Sequence, residues 1–326
     1  MKLNIGISIT KNKKKYLELT KNIREKFNDL NLIYLPTKKE VLQKIENIDI
    51  LLTYTIPKEI FRYNIQSLKW IQLGNAGVDN SMFKEVLQSK IIITNSRGIN
   101  ATPVSEFVMS SILFFEKNLT ECINFKKNKI WNQWELAKKN DTLENKVIGL
   151  IGYGAIGKSI AKRAKSFNMK IYAVRRLQKK RLSNSNIDML MPLEDIDYLL
   201  THSDFIVIAC PLTPLTFRLI NKNKIKKCKK SAYIINISRG QIMVEKDLID
   251  CIKNNVIKGA ALDVFDQEPL NQKSALFNCN NVLLSPHISG NFIGYQKKVI
   301  DAFENNLERF INNKNLKNRV CKKRQY

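Results

Sequence analysis

The stretch Val147-Ile148-Gly149-Leu150-Ile151-Gly152-Tyr153-Gly154-Ala155-Ile156-Gly157 decides the fold of this 326-residue chain. Its first five residues predict a buried strand, and the amphipathic run Lys158–Phe167 that follows the glycines predicts a helix. In that strand–turn–helix context, G-x-G-x-x-G spacing is typical of a dinucleotide-binding loop. Gly152 permits the tight turn, Gly154 lets a diphosphate approach the backbone, and Gly157 lets helix and strand pack closely. The free N–H groups at the start of the helix favour an anion there.

Short apolar segments continue on both sides of this loop and alternate with amphipathic ones. Six strands are predicted from the glycine loop onward, counting the strand that leads into it: Lys146–Ile151, Lys170–Val174, Phe205–Ala209, Ala232–Ile237, Gly259–Phe265 and Asn281–Ser285. Upstream they are Leu3–Ile9, Leu32–Leu35, Ile50–Tyr54, Trp70–Leu73 and Ile91–Thr94. Strand–helix alternation predicts parallel sheets covered on both faces. The fold class is therefore α/β, with two doubly wound parallel-sheet domains, and two further helices are predicted at Ala101–Phe115 and Tyr295–Ile311.

Composition places the chain among ordinary globular proteins. Charged residues make up 26% and apolar ones 44%, which argues against disorder. No apolar run approaches the length of a membrane span, and the start of the chain predicts a first strand rather than a secretory signal. The six cysteines are scattered without a C-x-x-C pair, so we expect free thiols, a reducing cytoplasmic location and no metal site.

The chain is strongly basic, with 55 Lys+Arg against 29 Asp+Glu and a formal net charge of +26. Its basic clusters are Lys11–Lys15, Lys179–Arg181, Lys226–Lys230 and Lys322–Arg324. They are spread along the whole chain, whereas a nucleic-acid binder concentrates such residues on one face. We therefore interpret them as solvated surface and expect no nucleic acid and no membrane as partner. Steering of anionic ligands, or true binding to a polyanion, remains an alternative.

The residue that follows the second strand of a dinucleotide domain distinguishes the two nicotinamide cofactors. In an NAD enzyme a carboxylate there binds the ribose diol. Here the strand Lys170–Val174 runs into Arg175 and Arg176, and no carboxylate occurs between Gly157 and Ile187. A guanidinium can hold a 2′-phosphate through charge-assisted bonds. We therefore expect NADP(H) to be preferred and NAD(H) to be possible; the alternative is that the two arginines are surface charge and NADH is used.

Several segments together resemble the D-isomer-specific 2-hydroxyacid dehydrogenases, and within them the glyoxylate/hydroxypyruvate reductase-like subgroup. They are Leu143–Gly149 with the glycine loop through Met169, Pro211–Thr216, Ile235–Gly240, Ala261–Phe265, Glu268-Pro269, Ser285–Gly290, Gly74–Asp79, and Gly98 with Val104–Glu106. The resemblance covers nearly the whole chain, and this ordered set is far more specific than the glycine loop alone.

The resemblance implies a flavodoxin-like substrate domain of residues 1–98 plus 287–326 and a Rossmann cofactor domain of residues 99–286. The active site would be the cleft between them. It also implies that Ala155, Ile156, Pro211 and Ile237 join the glycines in binding the cofactor, and that Asp263 accepts a bond from the nicotinamide carboxamide. A homodimer is implied too, with the polar insert 118–145 and its residues Trp131 and Trp134 at the interface.

The chemistry of 2-oxo acid reduction needs a hydride donor, a cation and a proton donor. The chain has only two histidines, and His287 follows a predicted strand at the edge where open α/β sheets place ligands. The resemblance implies that Glu268 hydrogen-bonds this histidine and so stabilises its imidazolium. Arg239, a fixed charged fork after a strand, is suited to the substrate carboxylate and carbonyl.

A second anion site is predicted where the strand Trp70–Leu73 ends. The small residues Asn75, Ala76 and Gly77 would let backbone N–H groups reach a substrate carboxylate, although they could equally form a plain turn. The substrate's side chain is not specified by any motif, because loops near Tyr54, Asn75, Arg97 and Phe292 would shape that pocket. The alternative to an enzyme is a dinucleotide-sensing binding protein of the same fold, like the corepressors that share it.

Overall fold

The computed structural model describes residues 2–324, and its chain separates into two compact units. One comprises the described residues up to Ile99 together with those from Phe292 onward; the other is Asn100–Asn291. The boundaries predicted from sequence lie after residues 98 and 286; here Ile99 groups with the first unit and residues 287–291 with the second. Residues 1, 325 and 326 of the predicted first domain lie outside the described residues.

The first unit is a five-stranded parallel sheet with helices between its strands. Its strands are β1 (Leu3–Ser8), β2 (Leu30–Tyr34), β3 (Ile50–Thr53), β4 (Trp70–Leu73) and β5 (Ile92–Asn95). Its helices are α1 (Lys13–Lys26), α2 (Lys38–Lys44), α3 (Lys84–Gln88) and the last helix of the chain, α11 (Tyr295–Ile311). The strand order β2-β1-β3-β4-β5 is the flavodoxin order.

Apolar residues on alternate strand positions bury both faces of this sheet. On one face Ile5, Leu52 and Trp70 pack with residues of α1 and α11, and the Trp70 ring stacks on Phe303 with centroids 5.2 Å apart. On the other face Leu51 and its neighbours pack with residues of α2 and α3. A near-continuous apolar strand is the expected consequence of burial on two sides.

The second unit is an eight-stranded sheet. Its strands are β6 (Val147–Ile151), β7 (Lys170–Arg175), β8 (Leu182–Asn184), β9 (Ile187–Pro192), β10 (Phe205–Ile208), β11 (Tyr233–Asn236), β12 (Gly259–Leu262) and β13 (Val282–Leu284). Its helices are α4 (Ala101–Glu116), α5 (Leu119–Asn128), α6 (Gln133–Ala137), α7 (Ala155–Lys165), α8 (Ile196–His202), α9 (Lys222–Ile225) and α10 (Glu245–Lys253). The order is β13-β12-β11-β10-β6-β7-β9-β8, and only β8 is antiparallel to its neighbour.

The register of this sheet aligns the ends of the strands that carry the predicted site. Ile151 of β6 lies beside Ile208 of β10, which lies beside Asn236 of β11. Asn236 lies beside Leu262, and Leu262 beside Leu284. The loops after these five strands therefore leave the sheet along one edge, and the chain reverses its direction across the sheet between β6 and β10. Ligands of open α/β folds bind outside such a switch point.

The prediction of two parallel-sheet α/β domains is confirmed. It omitted two strands and two helices that the structure contains. Strands β8 and β9 were not predicted, because β8 is short and exposed and β9 contains an aspartate and ends at a proline. The insert 118–145 was not assigned secondary structure but contains α5 and α6, which bury none of their residues. Within residues 2–324, no helix is both long and apolar enough to cross a bilayer.

Candidate active site

The three glycines of the loop after β6 differ in how much space surrounds their Cα atoms. Gly152 has a φ of +112°, and a Cβ there would lie 2.7 Å from the carbonyl oxygen of Ala209. A Cβ on Gly157 would lie 2.4 Å from the carbonyl oxygen of Gly152, so helix α7 starts against the turn itself. A Cβ on Gly154 would meet no atom within 4 Å. The loop thus has one open backbone face at a helix N-terminus, which fits a diphosphate.

The end of β7 lies directly beside this loop. The N–H of Gly152 donates to the carbonyl of Val174 at 3.0 Å, and Arg175 is the next residue and is exposed. An exposed guanidinium beside the glycine loop is where the ribose end of a dinucleotide would be recognised. Of the other predicted cofactor residues, Ala155 and Pro211 are exposed, Ile156 and Arg176 are partly buried, and Ile237 is buried.

Two of the predicted catalytic residues are in contact. The Nδ1 atom of His287 lies 2.7 Å from Oε2 of Glu268, while Oε1 of the same carboxylate accepts a bond from the backbone N–H of Phe265 at 3.0 Å. Both carboxylate oxygens are therefore engaged, which fixes the ring that Glu268 holds. Because a carboxylate accepts, the hydrogen lies on Nδ1, and Nε2 is the ring nitrogen left to exchange a proton. The His287 side chain is 48% exposed.

Hydrogen bonds to Asp263 hold the loop that carries His287. The Asp263 Oδ1 accepts from the Ser285 hydroxyl at 2.7 Å and from the N–H of Ile288 at 2.9 Å, and Oδ2 accepts from the N–H of Ser289 at 3.1 Å. His287 itself has a φ of +54°, a left-handed conformation that a side chain bearing Cβ adopts only when its surroundings enforce it. Bonds to Asp263 on both sides of His287 supply that enforcement.

Asp263 is fully buried, and its oxygens are occupied by its own chain. The Asp263 carboxylate is therefore surrounded by residues 285–289. Its predicted bond to a nicotinamide carboxamide stays a prediction. Ser285, whose hydroxyl completes the set, is a residue that the sequence argument did not single out, although it precedes the Pro286-His287 pair directly.

The turn that carries Arg239 is fastened to the loop that carries Glu268. The Asn236 amide donates to the carbonyl of Arg239 at 3.0 Å. Gln241 Nε2 donates to the carbonyl of Asp266 at 2.7 Å, and Arg218 Nη2 donates to the Asp266 carboxylate at 2.7 Å. Since Asp266 and Glu268 share one short loop, these bonds fix the Arg239 turn relative to the histidine's partner.

The 75–77 turn, meaning residues Asn75, Ala76 and Gly77, lies in the first unit directly beyond β4. The Asn75 carbonyl accepts from the N–H of Ser96 at 3.1 Å, and the Ala76 carbonyl accepts from Nδ2 of Asn95 at 2.6 Å. In a trans peptide the next N–H points opposite to the carbonyl. The N–H groups of Ala76 and Gly77 consequently point away from Asn95 and Ser96, as an anion site requires. The sequence analysis missed Asn95, which could have been found from its position at the end of the strand next to β4.

The structure places the two histidines at different ends of the second unit's strands. His202 ends α8, stacks on Tyr198 with ring centroids 4.0 Å apart, and places its Nδ1 2.8 Å from the Tyr198 carbonyl. It lies at the opposite end of the strand β10 from the glycine loop, because α8 precedes that strand. His287, by contrast, lies at the carboxyl edge with the glycine loop, Arg239 and Glu268. Together the switch-point loop and the paired histidine define a dinucleotide-dependent oxidoreductase.

Comparison with known proteins agrees. Residues 109–289 match the family model "D-isomer specific 2-hydroxyacid dehydrogenase, NAD binding domain". The glyoxylate reductase of Pyrococcus horikoshii is 33% identical over 83% of this chain and 82% of its own length, and that of Thermofilum pendens 34% identical over 83% and 81%. A solved family protein from Aeromonas salmonicida superposes with a TM-score of 0.83 at 25% identity, covering 99% of this chain and 100% of the other.

The chain belongs to the D-isomer specific 2-hydroxyacid dehydrogenase family, as its motifs predicted. It is accordingly an oxidoreductase that uses a nicotinamide dinucleotide.

Proposed function

We propose that this enzyme reduces a small 2-oxo acid, such as glyoxylate, hydroxypyruvate or phenylpyruvate, to the D-2-hydroxy acid with NADPH. The observation that carries the proposal is the bond between His287 and Glu268 at the edge where the glycine loop lies. The two relatives named glyoxylate reductase support the substrate class. The proposal treats the first unit as the substrate domain and the second as the cofactor domain.

In this proposal His287 is the proton donor. Reduced nicotinamide, when bound, supplies the hydride. As negative charge develops on the carbonyl oxygen, Nε2 of His287 delivers a proton to it, while the Glu268 carboxylate holds Nδ1 and so orients the ring. The guanidinium of Arg239 draws the carbonyl and carboxylate oxygens toward itself, and the N–H groups of the 75–77 turn hold the carboxylate.

The test of the catalytic assignments uses the second histidine as the control. His287→Ala and Arg239→Ala should each lower kcat/KM for the preferred 2-oxo acid by about 1,000-fold or more, while NADPH still binds with wild-type affinity. His202→Ala removes an imidazole of the same size and should keep wild-type turnover. Wild-type turnover in His287→Ala would refute the proton-donor role. A wild-type enzyme that binds NADPH but reduces no member of a 2-oxo acid panel would favour the binding-protein alternative instead.

Cofactor preference rests on Arg175, which is exposed next to the loop. Arg175→Asp should lower kcat/KM with NADPH by about 10-fold or more while sparing NADH, because a carboxylate repels the 2′-phosphate and suits a ribose diol. Arg62→Asp, the same charge change at an exposed site of the first unit, should alter neither value. A wild-type preference for NADH would contradict the proposal.

We further propose that the enzyme is a cytoplasmic homodimer without a nucleic-acid or membrane partner. The exposed tryptophans of the insert support the dimer. Ion pairs of Lys227 with Asp197 and of Lys229 with Asp204 support the interpretation of the basic clusters as ordinary surface, because they neutralise part of the Lys226–Lys230 cluster.

A further inference from the structure

Tyr295, the first residue of α11, is bonded to the segment that leads into the 75–77 turn. Its hydroxyl donates to the carbonyl of Gly74 at 2.8 Å, across 221 residues of sequence. Gly74 is the point where the chain leaves the sheet, since its N–H still donates to Thr53 of β3 at 2.8 Å. The carbonyl that Tyr295 holds is thus the first one beyond the ladder.

A second aromatic residue closes the other side of Gly74. A Cβ on Gly74 would lie 2.7 Å from Cε1 of Tyr54, so the Tyr54 ring lies directly against this backbone. The Asn75 side chain in turn donates to the carbonyl of Tyr54 at 3.0 Å. The segment from Gly74 to Asn75 is therefore fitted between Tyr54 and Tyr295, and Phe292 packs edge-on against the Tyr295 ring at 5.6 Å.

The three carbonyls before the proposed anion site now each have a donor. Tyr295 binds that of Gly74, Ser96 that of Asn75, and Asn95 that of Ala76. Because each trans peptide directs the following N–H the opposite way, these bonds set the directions of the N–H groups of Asn75, Ala76 and Gly77 together. The first and the third depend on side chains, those of Tyr295 and Asn95, and Tyr295 is by far the more distant in sequence.

We propose that Tyr295 is a positioning residue for substrate binding, which fixes the Asn75 N–H toward the substrate carboxylate by holding the carbonyl of Gly74. The proposal rests on the carboxylate-binding role proposed above for the 75–77 turn. Burial, assisted by the nearby Tyr54, raises the pKa of Tyr295 to about 12, so its hydroxyl keeps the proton that it donates throughout the neutral range. A preorganised N–H binds an anion better than one that must first be ordered.

The variant that isolates this bond is Tyr295→Phe, which keeps the ring and its packing. It should raise KM for glyoxylate about fivefold, the effect of one lost neutral hydrogen bond, with kcat and KM for NADPH unchanged. Tyr16→Phe is the matched control: it removes a hydroxyl that donates to the Leu32 carbonyl at 3.1 Å, on the far edge of the same sheet. Asn95→Ala, which releases the Ala76 carbonyl, should act in the same direction as Tyr295→Phe and serves if that variant does not fold.

A binding measurement separates this proposal from the proposed function. Calorimetry with oxalate, an unreactive mimic of the substrate, on the NADP⁺-bound protein should show affinity lowered about fivefold by Tyr295→Phe and unchanged by Tyr16→Phe. If the wild type binds oxalate but reduces no 2-oxo acid, the proposed function fails while the positioning role is still measured. Equal oxalate affinity in Tyr295→Phe and wild type overturns the positioning role. The positioning role is also overturned if Tyr295→Phe lowers kcat and NADPH affinity as much as it lowers oxalate affinity, or if the wild type binds no oxalate.

Discussion

Residues of one type at neighbouring positions can be required for different physical reasons, and the glycine loop separates those reasons. Gly157 faces the backbone of Gly152, so a side chain there collides with main chain that cannot move aside. Gly154 faces open space, so a side chain there collides with nothing that the protein itself contributes. Gly157 is thus required by the fold itself, whereas Gly154 would be required only by the proposed approach of a diphosphate.

This difference predicts opposite outcomes for two alanine variants. Gly157→Ala should lower the free energy of unfolding by about 1–3 kcal/mol, the usual cost of overpacking. Gly154→Ala should leave the melting temperature within about 2 °C of wild type, a shift that corresponds to well under 1 kcal/mol, and raise the dissociation constant for NADPH about tenfold or more. Thermal unfolding and fluorescence titration with NADPH measure the two effects. Equal melting temperatures for both variants would contradict the argument.

The candidate residues that the structure places along one edge of the sheet share one property, which is that each belongs to a local sequence pattern. Gly152, Gly154 and Gly157 lie within six residues of one another, and Glu268 and His287 each follow a strand and adjoin a proline. Tyr295 and Asn95 carry no such pattern. The role proposed for them rests on hydrogen bonds to Gly74 and Ala76 that only the folded chain creates.

Elements show the same division. Most strands predicted from apolar runs are buried on both faces, as such runs indicate, whereas the edge strands β2 and β13 are only partly buried. Strand β8 lies at the sheet's edge with every residue exposed, and β9 next to it carries a polar residue among its apolar ones. Helices α5 and α6 bury nothing within the chain, so their apolar residues do not form an inward-facing stripe. Apolar patterning therefore predicts even the edge strands β2, β5 and β13, but not a short, fully exposed strand such as β8.

The carboxylate of Asp188 is tolerated within β9 because its hydrogen bonds are satisfied. Its Oδ2 accepts from the N–H of Ile171 in β7 and from Nζ of Lys165 at the end of α7, both at 2.7 Å. Partial burial acts to raise the pKa of Asp188, but the bonds from Lys165 and Ile171 outweigh it, and the pKa lies below its ordinary value. The charged carboxylate thus joins two strands and a helix.

We expect Asp188→Asn to destabilise the protein by about 1 kcal/mol at neutral pH, a figure reduced for the partial exposure of the pair. Since the folded-state pKa is depressed, this stabilisation is complete above the unfolded-state value of about 4 and is lost as the pH falls through the folded-state pKa. Urea unfolding of wild type and variant should therefore differ at pH 7 and converge as the pH is lowered below about 4. The exposed Asp29→Asn is the control; a difference between wild type and Asp188→Asn that persists at low pH would exclude the charge as its cause.

The whole molecule presents an apolar surface that its own fold leaves uncovered. Trp131 and Trp134 are 77% and 73% exposed, and Ile123 and Ile130 are each 62% exposed. All four belong to the insert of α5 and α6, where the Trp131 ring packs edge-on against Phe125 at 5.7 Å. Clustered apolar side chains of this size mark an interaction surface, and the proposed homodimer would bury them.

The net charge of +26 opposes the same association, because two copies repel each other at long range. Salt screens repulsion between exposed charges over about 10 Å at 0.1 M but leaves apolar burial intact. The dimer should therefore be tighter at high ionic strength than at low, the reverse of an interface formed by ion pairs. Sedimentation velocity at micromolar concentration across a sodium chloride series measures this dependence.

Substituting the tryptophans tests which surface associates. Trp131→Glu combined with Trp134→Glu should convert the dimer to a monomer at every salt concentration, because two carboxylates cannot be buried against an apolar partner without pairing. Phe217→Glu places the same charge on another exposed aromatic, 55% accessible, and should leave the dimer intact. The glyoxylate activity of each variant shows whether the monomer is still a folded enzyme. A wild type that sediments as a monomer even at high salt, or a double variant that remains dimeric, would remove the insert from the interface.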